Sequence, residues 1–191
     1  GRIYVRRAGP EPTLSAADCG ELRERVPRIM GLSSASPVIL VPPTMAAIEP
    51  VVIETFPRVY AAVAARLPAP APIRYSMRVH RNNKAFPRTA TETEIHFAER
   101  LLDAYPRLVV DLKHADIQIG VEIRRDRAMV FYERIAGPGG LPAGCSGKVL
   151  ALLSGGIDSP VASYLMMKRG CRVDFLTFHS DPYTPPALLD K

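Results

Sequence analysis

Length, composition and charge exclude several classes of protein. The chain has 191 residues, 47% hydrophobic and 23% charged, a balance typical of a globular chain that can bury one large core or two smaller ones. The formal net charge of +6 suits a polyanionic partner, although an ordinary basic enzyme can carry it too. No apolar run reaches membrane-spanning length and no signal peptide opens the chain, so we predict no membrane partner and a cytoplasmic location.

The cysteines and histidines do not form a metal-binding pattern. Cys19, Cys145 and Cys171 are isolated and have no Cys-x-x-Cys spacing, which indicates neither a zinc site nor a disulfide framework. A reducing compartment is therefore expected. No metal ligands are predicted among the four histidines, which are His80, His96, His114 and His179.

The first part of the chain, residues 1–47, predicts a small α+β module. A strand is expected over 3–7, a helix over 15–30 with an interruption near Pro27, and a second strand over 38–41. The chain begins with Gly1 rather than methionine and stops at Lys191, after one strand-helix-strand unit. We therefore expect both ends to be cut.

The second part, residues 48–136, predicts alternating helices and strands. A helix over 44–67 is expected to break or kink near Pro50 and Pro57. A second helix should begin at Thr91 or Thr93 and end at Tyr105. Its predicted buried stripe is Ile95, Ala98, Leu101 and Leu102. Further strands are expected over 108–112, 117–124 and 128–134.

Cations are concentrated around a predicted strand over 73–79 and the loop that follows it. The alternation of this strand places Arg74, Ser76 and Arg78 on one face. Phosphate contacts from such a cluster would dominate affinity for RNA and make it salt-dependent. The alternative is a solvated strand edge whose cations discourage aggregation, with Phe86 and Pro87 as a core plug. The candidate RNA-binding residues are Arg74, Arg78, Arg81, Asn82, Lys84 and Arg88.

Residues 137–147 are rich in glycine and proline and predict a linker between domains. After it, residues 149–153 form an apolar run typical of a strand buried on both faces. A helix should follow, with Ser159 as its N-cap and Gly170 after its end, and a second strand over 173–178. The predicted buried face of this helix is Val161, Ala162, Leu165 and Met166.

The loop between the first strand and the helix, Ser154-Gly155-Gly156-Ile157-Asp158-Ser159, suits an anion. Adjacent glycines let backbone N–H groups approach an oxyanion, and the helix directs its positive end to the same place. Neither the Walker motif nor the dinucleotide-binding fingerprint is present. A bare glycine pair at this position is also compatible with a simple tight turn.

This loop resembles the PP-loop of the N-type ATP pyrophosphatases, whose pattern is Ser-Gly-Gly-x-Asp-Ser after a buried strand. The resemblance implies cleavage of ATP between its α and β phosphates, adenylation of the substrate, and retention of pyrophosphate by the loop. It assigns catalytic roles to Ser154, Asp158 and Ser159, and it assigns ATP binding to the same three residues together with Gly155 and Gly156. Asp158 would support the pyrophosphate-metal site, with Mg²⁺ as the ion, and a helix-capping role is compatible with this.

Four residues at the ends of the two strands are further candidates for ATP binding. Leu152 and Leu153 end the first strand, and Thr177 and Phe178 end the second. Open α/β sheets bind nucleotides in the crevice at the carboxyl ends of their strands, so backbone groups here could recognise adenine. The alternative is that all four are only core residues.

Residues 48–136 resemble a THUMP domain, an RNA-binding module that recognises the acceptor end of tRNA. The residues that carry this resemblance are Arg81, Asn82, Lys84, Phe86, Pro87, Thr91 and Glu94, with the strand pair over 111–122. The order of α+β module, THUMP-like domain, linker and PP-loop resembles the tRNA 4-thiouridine synthetase family, which is also linked to thiamine thiazole synthesis.

That resemblance implies a fold, a reaction and partners. The fold would be a ferredoxin-like α+β remnant over 1–47 and a THUMP domain over 48–136. The first βαβ unit of an α/β PP-loop domain, of the adenine nucleotide alpha hydrolase type, would follow over 148–191. The reaction would be adenylation of uridine 8 of tRNA at O4, then sulfur transfer from a persulfide donor such as a cysteine desulfurase. The sulfur-handling cysteines would lie beyond Lys191.

Two alternatives remain open from the sequence. The chain could be a tRNA-binding module without catalysis, or part of a PP-loop ligase that acts on a small molecule. Methyltransferases with a THUMP domain are disfavoured because no segment resembles their catalytic domain.

Overall fold

The computed structural model describes residues 2–8 and 13–180, so residues 181–191 of the predicted PP-loop domain lie outside the described residues. The chain divides into two compact units, Ser36–Arg134 and the combination of Gly1–Ala35 with Ile135–Lys191. The elements in chain order are α1 (Ala16–Arg25), a 3-10 turn (Val26–Arg28), β1 (Ser34–Ala35), β2 (Ile39–Val41), α2 (Met45–Ala64), β3 (Ile73–Arg81), α3 (Ala90–Ala104), β4 (Leu108–Val110), β5 (Ile117–Ile123), β6 (Ala128–Phe131), β7 (Ile135–Ala136), β8 (Lys148–Leu152), α4 (Asp158–Lys168) and β9 (Arg172–Leu176).

A five-stranded mixed sheet organises the Ser36–Arg134 unit, in the order β2-β6-β5-β3-β4. Strand β3 runs parallel to β4 and β5, whereas β6 is antiparallel to β5 and β2. Helices α2 and α3 share one core with one face of this sheet, where Phe56 and Phe97 are fully buried. An apolar sheet face needs such a layer to exclude water.

Strand β3 alternates as predicted except at Ser76, which is 4% exposed although it was expected on the face of Arg74 and Arg78. Tyr75, Met77 and Val79 are buried in the core, whereas Arg74 and Arg78 are exposed on the opposite face. Strand β5 pairs with β3 from Tyr75 to Arg81, whereas β4 pairs with β3 only from Ile73 to Tyr75. The carboxyl end of β3, from which the next loop starts, therefore has β5 as its neighbouring strand.

Helix α2 continues through Pro50 and Pro57, so a break at these prolines, one of the two predicted outcomes, does not occur. Each proline lacks the backbone N–H that would bond the carbonyl four residues earlier. The Thr55 hydroxyl donates to Val51 O at 2.5 Å and lies 2.8 Å from the Tyr132 hydroxyl of the strand region. Packing of its apolar face against the sheet, through residues such as Phe56, keeps the helix intact.

Helix α3 begins at Ala90, one to three residues before the predicted start. Thr89 is its N-cap and forms a capping box with Glu92, whose carboxylate accepts the Thr89 N–H at 2.7 Å. Those hydrogen bonds hold the pKa of Glu92 below its usual range. The buried face is Thr93, Phe97 and Leu101, so the predicted stripe is wrong for Ile95, which is 52% exposed, and for Leu102.

We expect Thr89→Ala to destabilise the protein by about 1 kcal/mol, because the N–H of Glu92 would lose its capping oxygen. Thermal or urea unfolding monitored by circular dichroism measures this. Thr91→Ala is the matched control, since Thr91 is exposed inside the first turn and should leave stability unchanged or slightly raised. Equal losses for the two variants would contradict the assignment of Thr89 as the cap.

Two predicted strands near the amino terminus need correction. Residues 3–7 are not a strand, and Ile3 and Val5 are 82% and 69% exposed, because no described strand pairs with them. The strand near residue 40 exists, but it pairs with β6 and so belongs to the Ser36–Arg134 unit. The domain limits given above stay predictions.

In the other unit, β8 and β9 pair in parallel and α4 joins them, with Leu152 opposite Leu176. This confirms the predicted order of strand, glycine loop, helix and strand. The predicted burial of the first strand on both faces is wrong, since Leu150 and Leu152 are 63% and 60% exposed. Two strands and one helix cover too little of each other, and a parallel strand is buried on both faces only when both are covered.

Helix α4 is likewise covered too little by the two strands to bury its predicted face. The residues predicted for its buried face are all exposed, and Ser163 is its buried residue. The exposed residues are Val161, Ala162, Leu165 and Met166.

The predicted linker 137–147 is bound to its own unit. Leu141 N–H donates to Lys168 O at 3.0 Å, and the N–H groups of Gly144 and Ser146 both donate to Gly170 O. The carbonyls of the last turn of a helix have no partner within the helix. This segment therefore supplies the partners that end α4. Within residues 2–8 and 13–180, no helix is both long and apolar enough to span a membrane.

Candidate nucleotide loop and RNA-binding surface

The glycine loop lies between the carboxyl end of β8 and the first turn of α4. Gly155, Gly156 and Asp158 are all exposed, so the loop faces solvent rather than a closed interior. Helix α4 starts at Asp158 after Ile157, so the predicted N-cap, Ser159, is wrong by two residues. The Ser159 hydroxyl instead points back to the loop, where it accepts the Ser154 N–H at 3.0 Å and lies 3.1 Å from Ser154 Oγ.

Gly156 has a conformation that any residue could adopt. Its φ angle lies outside the left-handed region, and a Cβ built on it would meet only Ser154 Oγ, at an ordinary 3.7 Å. Neither backbone conformation nor packing of the described chain therefore requires glycine here. Glycine at this position would also allow another group to approach the backbone closely.

Of the four residues at the ends of β8 and β9, two are hydrogen-bonded between the strands and two are exposed to solvent. Leu153 donates its N–H to Leu176 O at 2.8 Å and accepts from the Thr177 hydroxyl at 3.1 Å. Leu152 is 60% exposed and Phe178 is 74% exposed, so neither is a core residue. Leu152 and Ser159 line a groove of about 260 Å³ between β8 and α4.

Hydrogen bonds within the basic loop after β3 connect its side chains to its backbone. Arg81 donates from Nη1 to the carbonyls of Lys84 and Phe86 at 3.4 and 3.3 Å, and Asn83 Oδ1 accepts the Ala85 N–H at 3.1 Å. Phe86 is 3% exposed and belongs to the core, as the plug interpretation expected, whereas Pro87 is exposed, so that interpretation is wrong for Pro87. The loop thus presents an exposed Lys84 and a partly exposed Arg88 on this hydrogen-bonded backbone.

The other candidates for RNA binding are engaged within the protein. The Arg74 guanidinium bonds both carboxylate oxygens of Asp116, at 3.0 and 2.8 Å, and these bonds hold the pKa of Asp116 below its usual range. Arg78 donates to Leu112 O at 3.3 Å. Asn82 Nδ2 donates to Glu122 at 3.2 Å. The side chains described here therefore have hydrogen-bond partners within the protein. The two cations at the loop, Lys84 and Arg88, form a separate group of candidates.

Glu122 is a residue that the sequence analysis missed. It is 3% exposed and bonds both Asn82 and Arg124, at 3.2 and 2.9 Å. It lies opposite His80 on β3, and it fixes the side chain of the first loop residue. Its partners Asn82 and Arg124 come from a distant loop and from its own strand end, so no local signal could have identified this cluster.

Two cysteines and one histidine differ in their surroundings. Cys145 is exposed and Cys171 buried, and His96 bonds Glu49 across helices α2 and α3 at 3.2 Å. In the described part of the chain, no group of three or more potential ligands could hold a metal ion on its own.

Comparison with known proteins assigns both parts of the chain. Residues 55–133 match the THUMP domain, and residues 144–191 match the family described as thiamine biosynthesis protein (ThiI). All of the chain aligns, at 38% identity, with probable tRNA sulfurtransferases of Brevibacillus brevis and Nocardia farcinica. The chain belongs to the ThiI family. It spans 44% and 46% of the length of those two relatives.

Two solved structures share the fold of this ThiI-family chain. The crystal structure of PH1313 from Pyrococcus horikoshii Ot3 matches 90% of the chain and 55% of its own length, with a TM-score of 0.72 and 28% identity. A 4-thiouridine synthetase in complex with RNA and ATP matches 88% of the chain and 42% of its own length, with a TM-score of 0.67 and 29% identity. The predicted THUMP domain and PP-loop region are therefore confirmed.

Proposed function

We propose that this ThiI-family protein is an ATP-dependent tRNA sulfurtransferase that makes 4-thiouridine at position 8 of tRNA. The observation that carries the proposal is the exposed loop at the junction of β8 and α4, where Gly156 is glycine without a conformational or packing requirement. The basic loop after β3 supports a nucleic-acid substrate. A protein of the same fold, solved with RNA and ATP, is a 4-thiouridine synthetase.

The proposed reaction has two steps. The O4 oxygen of the uridine attacks the α-phosphate of ATP, which forms an O4-adenylated base and releases pyrophosphate. The terminal sulfur of a persulfide, supplied by a donor such as a cysteine desulfurase, then bonds to C4, and AMP leaves with the O4 oxygen. A thiol cleaves the remaining sulfur-sulfur bond and becomes part of a disulfide. The same activated sulfur would serve thiazole synthesis for thiamine.

The residues of the described loop would act mainly on the leaving pyrophosphate. Backbone N–H groups of Gly155 and Gly156 and the hydroxyls of Ser154 and Ser159 would donate to its oxygens, and the first turn of α4 would contribute its positive end. Such preorganised donors are the usual source of stabilisation for charge that develops in a transition state.

Asp158 fits a shared metal site. It is a single exposed carboxylate at the first position of α4, and Mg²⁺ is commonly held by one or two carboxylates together with substrate phosphates and water. When bound, Mg²⁺ would neutralise part of the charge on the phosphates. The backbone groups of Leu152, Thr177 and Phe178 would provide the surface for the adenine.

The test is to incubate the full-length protein with ATP, Mg²⁺ and unmodified tRNA, with and without a persulfide donor. We expect AMP and pyrophosphate only when tRNA is present, and 4-thiouridine in digested tRNA only when the donor is added. AMP formed with a small-molecule acceptor but not with RNA would favour the ligase alternative. Tight tRNA binding without any AMP would favour the non-catalytic module.

A further inference from the structure

The peptide unit between Leu153 and Ser154 is the first of the glycine loop, and side-chain hydroxyls hold it at both ends. Its carbonyl oxygen accepts from Thr177 Oγ1 at 3.1 Å. Its N–H donates to Ser159 Oγ at 3.0 Å. One hydroxyl follows β9 and the other lies in the first turn of α4, so two separate elements fix the orientation of this peptide.

The hydrogen bonds of Leu153 also determine which backbone groups remain for a nucleotide. Its N–H and carbonyl both bond toward β9, through Leu176 O and the Thr177 hydroxyl. In a parallel ladder the polar groups of neighbouring residues point to opposite edges of the strand. The backbone N–H and carbonyl of Leu152 therefore point away from β9. Leu153 was one of the predicted adenine contacts, but its N–H and carbonyl are already bonded to Leu176 and Thr177.

We propose that Thr177 is a positioning residue for the pyrophosphate loop, acting through the carbonyl of Leu153. This inference rests on the proposed function and adds a role to it. The bond to Thr177 turns the carbonyl toward β9 and leaves the N–H end of the peptide, with the paired hydroxyls of Ser154 and Ser159, on the side of the loop. Without that bond the carbonyl can rotate, and its negative end would repel a bound anion.

The test is Thr177→Val in the full-length protein, with binding of inorganic pyrophosphate and of AMP measured separately by calorimetry. We expect pyrophosphate affinity to fall about tenfold, the scale of one lost hydrogen bond together with a misdirected dipole. AMP affinity should stay the same, because the backbone and exposed side chains at the strand ends are unchanged. Thr177→Ser keeps the hydroxyl and should restore pyrophosphate binding.

Ser146→Ala is the matched control. It removes a hydroxyl that donates to Arg169 O at 2.8 Å, at the opposite end of α4, and should change neither affinity. Equal loss of pyrophosphate and AMP binding in Thr177→Val, or no loss, overturns the proposal. Failure of both Thr177→Val and Thr177→Ala to fold also overturns it, because the hydroxyl would then act on folding. If wild-type protein binds no pyrophosphate, the proposed function itself fails.

Discussion

Gly156→Ala is expected to reduce AMP formation on the order of a hundredfold while leaving the protein folded, the scale seen when one donor of an anion-binding site is lost. The added methyl group would stand 3.7 Å from Ser154 Oγ, where the proposed pyrophosphate must approach the backbone. Folding should tolerate it, because φ is ordinary and the contact is 3.7 Å. We expect the free energy of unfolding to change by no more than about 0.5 kcal/mol.

Gly170→Ala provides the opposite control in the same unit. Gly170 has φ of +88°, and a Cβ there would lie 2.5 Å from Cys145 Sγ and 2.9 Å from Leu141 Cβ. The left-handed conformation alone should cost about 1–2 kcal/mol. Thermal unfolding and AMP formation, measured on both variants, separate the two roles. If Gly156→Ala keeps full activity, or loses stability as Gly170→Ala does, close approach of the phosphate to Gly156 is refuted.

The double variant Lys84→Ala/Arg88→Ala is expected to weaken tRNA binding roughly tenfold at moderate salt and to flatten its salt dependence. Each cation that contacts a phosphate contributes about one unit to the slope of log affinity against log salt concentration. Fluorescence anisotropy with labelled tRNA at several salt concentrations measures both quantities. The loop should keep its shape, because Arg81, Asn83 and Phe86 hold it and remain unchanged.

Arg66→Ala is the control for nonspecific loss of charge. Arg66 is exposed after α2 and precedes β3, whereas Lys84 and Arg88 follow the end of β3, at the other end of the sheet. A similar drop in affinity for Arg66→Ala would mean that net charge, rather than this loop, drives binding. Unchanged binding in the double variant would remove the loop from the proposed RNA surface.

The two loops could be found from the sequence because their signals are local. Six consecutive residues, 154–159, define the glycine loop, and a run of cations after an alternating strand defines the basic one. Element types were predicted for the same reason, since periodicity and prolines act within a few residues. Local signals failed at the start of α3, where three threonines lie close together. The helix was predicted to begin at Thr91 or Thr93, but Thr89 caps it and accepts the N–H of Glu92.

Tertiary structure alone decided which polar groups are available. Arg74 and Asp116 are 42 residues apart in the chain, and Asn82 and Glu122 are 40 apart, so only folding reveals that these pairs are bonded. Thr177 likewise reaches Leu153 across 24 residues. The sequence by itself determined the chemistry that each loop offers, because that depends on neighbouring residues. The fold determined which donors and cations remain for a ligand, because hydrogen-bond partners are set by strand register and helix packing.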